Sequence, residues 1–246
     1  MPLAATANAL HREGCLFCRR HDGGFVSREH IFSESLGNLE DYVLPPGIVC
    51  DRCNNGPLSV GDGELVSFEP IVMLRAERGL STKAGRPVTA TFGNAIIWFG
   101  VRGQITVESN SRKATRRMGP RGGQLDLFGR PVTPRRARRI VRSVWKSTLE
   151  LIYLDAGPRV AFLEIFDGAR DAILDDRCAG WATLDRDTIA TPSVELEYER
   201  AFIGGHHAMP VTLNVFGVVI RTDLLRRDVS RDRVHPPWPH SLWEFA

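Results

Sequence analysis

The sequence contains no run of about 18 apolar residues, the shortest length expected of a membrane-spanning helix. Its first residues, MPLAATANALHREG, lack both a basic start and a sustained apolar stretch, so a secretory signal peptide is not predicted. With five cysteines in 246 residues and no such signal, a disulfide framework is not expected either. We therefore expect a globular protein of the cytoplasm, without a membrane partner.

Net charge is also small, because 32 Lys and Arg residues oppose 29 Asp and Glu residues. The charges are nevertheless unevenly distributed, since eleven basic residues and only one acidic residue lie between residues 112 and 142. Such segregation predicts a positive surface that attracts polyanions, and the open alternative is a solvated helix face beside a basic loop. The candidate nucleic-acid contacts in this stretch are Arg135, Arg136, Arg138 and Arg139.

Four of the cysteines form two C-x2-C pairs, CLFC at Cys15 and Cys18 and CDRC at Cys50 and Cys53. Two such pairs supply four thiolates, the usual complement of a closed tetrahedral zinc site. Because four protein ligands leave no open position for water, the predicted zinc is structural. The fifth cysteine, Cys178, stands alone and is predicted to be an inert thiol.

The chain is predicted to have an α+β fold in two parts. Residues 10–60 are rich in Gly, Pro and Asn and lack a long apolar periodicity, which is typical of a small module held by a metal. Residues 61–246 are predicted to form a larger mixed α+β domain. A helical stretch is predicted at 64–79, and Pro70 within it argues against one straight helix. A β-hairpin at 87–109, a basic loop at 110–133, a helix from Thr133 to Gly157 and a shorter helix at 162–174 are predicted to follow. The last predicted elements are strands in SVELEYERAF and VTLNVFGVVIRT and an extended tail.

Between the cysteine pairs stands the stretch SREHIFSESLGN, in which Glu29 directly precedes His30. Asn54 and Asn55 follow the last cysteine of the second pair. In this order, C-x2-C, REHIFSESLGN and CDRCNN resemble the HNH endonuclease family in its four-cysteine form. The resemblance covers residues 15–58 and implies a ββα-metal module, with Glu29 and His30 on the first strand and a helix that begins near Asn54.

The resemblance also implies chemical roles. His30 would be the general base that deprotonates water, and an imidazole with a pKa of about 6.5 suits that role. Glu29 and Asn54 would hold a catalytic Mg²⁺ or Mn²⁺ through hard oxygen atoms. Arg28 is a candidate phosphate contact, with a solvated side chain as the open alternative. The implied reaction is metal-dependent hydrolysis of a phosphodiester bond.

One part of the family pattern is missing. The family has an Asn shortly before the third cysteine, where it braces the loop and orients the histidine. This sequence has YVLPPGIVC there, with Pro45 near that position. Asn38 is the candidate replacement for the bracing role, and a loop shaped by the two prolines is the alternative.

The leading hypothesis is an endonuclease that acts on DNA, in a setting of defence against foreign DNA that rests on family analogy alone. One alternative is a zinc-stapled nucleic-acid-binding protein with a degenerate nuclease centre, and another is a nuclease directed at RNA. The C-terminal part resembles the region that follows the HNH module in bacterial proteins of this type, which implies no activity. DNA binding, substrate recognition and homodimer formation are its open roles.

Overall fold

A computed structural model of the chain describes residues 13–37, 42–82, 84–92, 95–99, 105–109, 132–186, 193–203, 205–225 and 241–245. These residues form a mixed α+β fold, as predicted. Asn38, nearly all of the predicted basic loop and most of the predicted tail lie outside them. Within the described ranges, no helix combines the length and the apolar content needed to cross a bilayer.

The stretch that carries Glu29 and His30 pairs with a returning segment in an antiparallel bridge. His30 lies opposite Val43. Backbone hydrogen bonds flank the bridge, from Ile31 to Tyr42 at 2.9 Å and from Leu44 to Glu29 at 3.0 Å. A short 3-10 turn, Glu34–Leu36, follows His30, and the Ser33 side chain caps it by accepting a hydrogen bond from the Ser35 amide.

The second cysteine pair opens a helical segment that is kinked near its start. Helix α1, Asp51–Cys53, continues through a wider π turn at Asn54–Leu58 into helix α2, Ser59–Val66. Gly56 leaves helical geometry, with φ −109° and ψ −112°, and Pro57 supplies no N–H to the helical ladder. The kink therefore follows from the Gly-Pro pair and lies directly after the predicted metal ligands.

The predicted helical stretch at 64–79 is divided, as Pro70 suggested. Helix α2 ends at Val66, and helix α3 spans Glu69–Glu77, with Pro70 in its first turn where no N–H is required. Gly79 follows α3 with φ +66°, the left-handed conformation that ends many helices.

The predicted hairpin at 87–109 is a three-stranded antiparallel sheet. Strand β1 (Ala90–Phe92) pairs with β2 (Ala95–Phe99), and β2 pairs with β3 (Ile105–Ser109). Val88, Ala90 and Ile97 form a small apolar cluster with residues of α3, so this sheet packs on that helix.

Helix α4, Pro134–Ala156, has the bounds and caps that the sequence predicts. The Thr133 side chain accepts a hydrogen bond from the Arg136 amide, and Gly157 ends the helix with φ +81°. Its surroundings are different from those predicted, because every residue from Ile140 to Glu150 is buried. The helix is therefore a central element, and its arginine-bearing side is not a solvated face.

The segment after α4 turns twice before it reaches the main sheet. Helix α5 (Pro158–Ala161) comes first. A 3-10 turn at Glu164–Phe166 and helix α6 (Asp167–Leu174) then occupy the range 162–174, where one shorter helix was predicted.

An antiparallel five-stranded sheet dominates the C-terminal part. Its strands are β4 (Gly180–Arg186), β5 (Val194–Tyr198), β8 (Pro210–Val215), β9 (Val218–Asp223) and β10 (Ser241–Phe245), in the order β10-β4-β9-β8-β5. A separate pair is formed by β6 (Ala201–Ile203) and β7 (His206–Ala208). Phe216 and Gly217 join β8 to β9 with φ +58° and +95°, as a two-residue hairpin turn requires.

Helix α4 joins the N-terminal and C-terminal parts. One hydrophobic cluster includes Leu16 and Ile31 together with Trp145 of α4 and Ile220 of β9. Gly61 lets α2 approach α4, since a Cβ there would lie 3.2 Å from the Arg139 carbonyl oxygen. The predicted boundary after residue 60 falls inside α2, and the division of the chain into two domains stays a prediction.

Candidate functional site

The two cysteine pairs are brought together by backbone hydrogen bonds. The first pair forms a tight turn, in which the Arg19 amide donates to the Cys15 carbonyl at 2.9 Å. The Leu16 amide donates to the Ile48 carbonyl at 2.9 Å, which aligns the two pairs. A Cβ at Gly23 would lie only 2.8 Å from the Cys50 Sγ atom, so glycine is required there.

The four Sγ atoms of Cys15, Cys18, Cys50 and Cys53 all lie within 4.8 Å of one another. The Sγ atoms of Cys18 and Cys50 are 3.7 Å apart. A tetrahedron with Zn–S bonds of about 2.3 Å has S–S edges of roughly 3.8 Å. The predicted cluster is therefore confirmed, and its spacing suits a tetrahedral metal ion such as zinc.

The protonation of these thiols also favours a cation. The Cys53 thiol donates to Cys15 and lowers the pKa of Cys15 to about 5. The same hydrogen bond, together with burial, raises the pKa of Cys53 far above its usual range. Burial raises the pKa of Cys50 to about 11. Because the thiols share their protons instead of ionising together, a divalent cation is the charge that would let all four become thiolates.

Two arginines dock this cysteine turn onto the C-terminal part. The buried Arg170 Nε donates to the Leu16 carbonyl at 2.8 Å, and its guanidinium also donates to Ala161. Arg19 donates to the Phe162 carbonyl at 2.8 Å and lies over the Phe162 ring. Burial lowers the pKa of Arg170 to about 10, and four hydrogen bonds to oxygen atoms satisfy its guanidinium.

The ring of the predicted general base, His30, contacts a carboxylate. Its Nε2 atom lies 2.9 Å from Oε1 of Glu34, at the start of the 3-10 turn. The His30 side chain is 19% exposed, so a solvent molecule can reach the half-buried ring. A carboxylate on one imidazole nitrogen is the arrangement that orients a catalytic histidine.

The strand segment before His30 is held by the start of the helical segment. Asp51 accepts hydrogen bonds from the amides of Val26 at 3.0 Å and Ser27 at 2.6 Å. The side chain of Ser27, followed by these two amides, lowers the pKa of the Asp51 carboxyl. The Asn54 Nδ2 donates to the Arg28 carbonyl at 3.2 Å. Asn54 therefore lies against the segment that carries Glu29 and His30. Its hydrogen bond to Arg28 uses the amide nitrogen, while a cation would bind the amide oxygen.

Glu29 points the other way, into a buried cluster around Lys146 of α4. The Lys146 Nζ lies 2.6 Å from Oε1 of Glu29, 2.9 Å from Oδ2 of Asp62 and 3.6 Å from Oε2 of Glu150. It also donates to the His30 carbonyl at 2.8 Å. Burial alone would lower the pKa of Lys146, but the carboxylates of Asp62, Glu150 and Glu29 raise it well above its usual value.

The same helix makes further polar contacts around this cluster. Ser143 donates to Asp62 at 2.5 Å, and Ser147 donates to the Ile31 carbonyl at 2.6 Å. Burial raises the pKa of Glu150 well above that of an ordinary carboxyl, with Lys146 acting in the opposite direction. Three carboxyl groups and one ammonium therefore share a buried site where α2 and α4 meet the segment that carries Glu29.

This cluster decides how well the predicted ligands fit a catalytic cation. Successive strand residues point to opposite sides, and the Glu29 side chain is 6% exposed and already neutralised by Lys146. Glu29 therefore does not fit an open Mg²⁺ or Mn²⁺ site in this arrangement. Asn54 is more accessible than Glu29, and its amide nitrogen hydrogen-bonds to the Arg28 carbonyl.

The predicted nucleic-acid contacts on α4 are largely engaged within the protein. Arg136 is nearly buried, and its Nη1 lies 2.6 Å from Oε2 of Glu69. The same guanidinium donates to the Ser67 carbonyl at 3.0 Å and lies 3.5 Å from Glu64. Arg136 thus ties α4 to the junction between α2 and α3, and it is not a surface group.

Asp176 gathers the remaining arginines of this group. Its carboxylate lies 2.9 Å from both Arg139 and Arg142 and 3.2 Å from Arg135. Arg138 donates to its backbone carbonyl at 2.9 Å. The hydrogen bond from Arg139, followed by that from Arg135, lowers the pKa of Asp176 to about 2. Arg135 is the most accessible arginine of the three ion pairs, with 70% of its side chain exposed.

Sequence reasoning missed Glu34, Asp62, Lys146 and Glu150. No local signal marked the last two, because the polar residues at positions 143, 146, 147 and 150 have the helical spacing that a solvated face of an amphipathic helix also has. Glu34 also stands four residues after His30, although the intervening chain is not an α-helix.

No protein-family model, curated protein or solved structure matches this chain.

Proposed function

We propose that the chain is an HNH-type endonuclease that hydrolyses phosphodiester bonds in DNA, with His30 as the general base. The observation that carries this proposal is the order and contact of the parts between residues 15 and 66. The two cysteine pairs flank the bridge at His30 and Val43 and form one four-thiol cluster. A helical segment begins at the second pair, and its Asn54 hydrogen-bonds back to Arg28.

The chemistry requires a base that reaches solvent and stays oriented. His30 is half-buried, its ring pairs with Glu34, and its carbonyl accepts from Lys146. In the proposed reaction a water molecule attacks phosphorus while its proton passes to the imidazole, and the 3′ oxygen leaves. A positioned general base contributes about 10²–10⁴-fold to such a rate.

The cation ligands of the proposal are Asn54 and Glu29, and Mg²⁺ or Mn²⁺ would neutralise charge at the phosphate when bound. Since Glu29 is paired with Lys146, its service as a ligand would require the carboxylate to exchange that partner. Cation binding is therefore measured separately from hydrolysis, on wild type and on Glu29→Gln. Equal Mn²⁺ affinity for both proteins would remove Glu29 from the ligand set.

On the substrate side, Arg28 is the strongest of the predicted phosphate contacts. It is exposed and directly precedes Glu29 and His30 on the strand that Asn54 holds. The arginines of α4 are weaker candidates because they bind Glu64, Glu69 and Asp176. Defence against foreign DNA stays a proposal by analogy.

The test is a plasmid-nicking assay with Mg²⁺ or Mn²⁺ on wild type, His30→Ala and His21→Ala. His21 is an exposed histidine of the same module and serves as the matched control. We expect His30→Ala to lower the nicking rate by at least about 10²-fold and His21→Ala to leave it unchanged. Equal nicking by wild type and His30→Ala would contradict the proposal.

A second candidate function is nucleic-acid binding without cleavage. The observation in its favour is the pairing of Glu29 with the buried Lys146, which engages a predicted cation ligand within the protein. A protein that binds DNA or single-stranded RNA but cuts neither with any divalent cation would support this candidate. Cleavage restricted to RNA would move the proposal to a ribonuclease.

A further inference from the structure

The imidazole of His30 has a partner that the HNH pattern does not supply. Nε2 of His30 and Oε1 of Glu34 are 2.9 Å apart. In a neutral imidazole one nitrogen carries the hydrogen and the other carries the lone pair. A carboxylate accepts hydrogen bonds only, so Glu34 favours the tautomer with its hydrogen on Nε2 and its lone pair on Nδ1.

The turn that carries Glu34 is firmly anchored. The side chain of Leu36 is buried, and the buried Arg75 donates through Nε to the Ser35 carbonyl at 2.6 Å. Ser33 caps the start of the turn. Glu34 is half-exposed, so its side chain leaves this anchored turn toward the ring without packing that a substitution would disrupt.

The backbone of His30 is anchored independently, from the other side. Lys146 donates to its carbonyl at 2.8 Å, and Ser147 donates to the carbonyl of Ile31 at 2.6 Å. Helix α4 thus holds the strand while Glu34 holds the ring. The contact with Glu34 restricts rotation of the His30 side chain.

We propose that Glu34 is the positioning residue of His30, which sets the neutral tautomer that leaves the Nδ1 lone pair to take the proton of the attacking water. The inference rests on the proposed function for the second half of this statement only. Glu34 supplies the orientation that the missing Asn of the LPPGIVC segment would have supplied, and the role does not require Asn38.

The test combines a spectrum with kinetics. Histidine labelled with ¹⁵N is placed in full-length wild type, Glu34→Ala, Glu34→Gln and Glu164→Ala, and a long-range ¹H–¹⁵N spectrum assigns the His30 tautomer. Glu164 is the matched control, because it is an exposed acid that begins another 3-10 turn. His30→Ala identifies the His30 signals by their loss.

We expect wild type and Glu164→Ala to hold the hydrogen on Nε2, and Glu34→Ala to show a mixture of tautomers. Glu34→Gln keeps an acceptor oxygen and should fall between them. In the nicking assay, Glu34→Ala should lower kcat about 10–100-fold, the usual effect of losing an orienting partner, with KM nearly unchanged.

An unchanged tautomer in Glu34→Ala would overturn the inference, whatever the activity. A changed tautomer with full nicking activity would overturn the catalytic half of it. If the tautomer changes as expected but neither wild type nor any variant cuts DNA, the proposed function fails while the positioning of His30 by Glu34 stands. The two failures are thus distinguishable.

Discussion

Helix α4 contacts the cysteine module, residues 13–66, through Ser143, Lys146 and Ser147. It contacts the C-terminal sheet through Trp145, whose indole N–H donates to Thr222 of β9. Both contacts share one large apolar cluster, which runs from Leu16 and Ile31 through Trp145 into β8 and β9. The first contact adds hydrogen bonds and buried charges around Lys146 to this apolar packing. Buried charges therefore distinguish the side of α4 that faces the cysteine module from the side that faces the sheet.

The difference teaches what each kind of contact can specify. Apolar burial contributes about 25 cal/mol per Å² without regard to direction, so the sheet gains stability from a broad surface. Hydrogen bonds and ion pairs are directional, and their net energy is modest because burying charge is costly. The polar side of α4 therefore sets where the strand with His30 lies, more than how stable the protein is.

The largest expected effect comes from removing the metal that the four thiols would hold. Zinc binding contributes roughly 10–16 kcal/mol in small zinc modules, which exceeds or equals the whole stability of most domains. A strong chelator, or Cys50→Ser, should therefore unfold residues 13–66 while hydrogen exchange in β8 and β9 stays slower. The zinc content per chain and the amide hydrogen-exchange rates in both regions test this expectation.

Cys178→Ser is the control for that experiment, because Cys178 is buried outside the cluster. It should keep one zinc ion per chain. Equal loss of protection in both regions would show that the cysteine module and the sheet unfold as one unit, which would remove the contrast between them.

The next effect is expected at the buried lysine. Lys146→Met leaves the buried Glu29 without its 2.6 Å partner, and removing one member of a buried ion pair costs about 3–5 kcal/mol. The change should lower the free energy of unfolding measured with urea by that amount. Adding Glu29→Gln, Asp62→Asn and Glu150→Gln to Lys146→Met should restore much of it, because no carboxylate of the cluster then lacks its partner.

Arg135→Met is the matched comparison on the same helix. Its ion pair with Asp176 is largely exposed, so a loss of about 0–1 kcal/mol is expected. If Lys146→Met cost no more than Arg135→Met, the polar side of α4 would not be the directional contact inferred above.

The smallest effect concerns acid. The pKa of Asp176 is lowered to about 2 in the folded protein, from 3.8. A lowered folded pKa adds stability that is present above the unfolded pKa and is lost as pH falls through the folded pKa. Asp176→Asn should therefore flatten the fall in stability between pH 4 and pH 2, measured by urea titration at each pH. An unchanged slope would mean that the arginines do not act on this carboxylate.

The local parts of the fold could be read from the sequence. Thr133, Pro134 and Gly157 predict the ends of α4 because caps act within one turn of the helix. The C-x2-C pairs predict the thiol cluster for the same reason, since each pair is a local turn. Pro70 likewise divided the helical stretch where the structure divides it.

The charged groups could not be placed in this way. Lys146 and Arg136 look like solvated residues of an amphipathic helix until Glu29 and Glu69 arrive from distant parts of the chain. The predicted basic surface on α4 depends on partners that no local pattern discloses. Glu29 and His30 are adjacent in sequence, but Glu29 contacts the buried Lys146 while His30 contacts Glu34.

The hydrogen bonds from α4 to the carbonyls of His30 and Ile31 make the cysteine module depend on a helix that lies outside it in the sequence. A fragment that ended near residue 60 would keep all four thiols but would lack the donors that satisfy these two carbonyls. Any recombination that transplanted the module into another protein would have to carry a helix with Lys146 and Ser147 along with it. The histidine and the helix that anchors it therefore form one structural unit, although more than a hundred residues of sequence separate them.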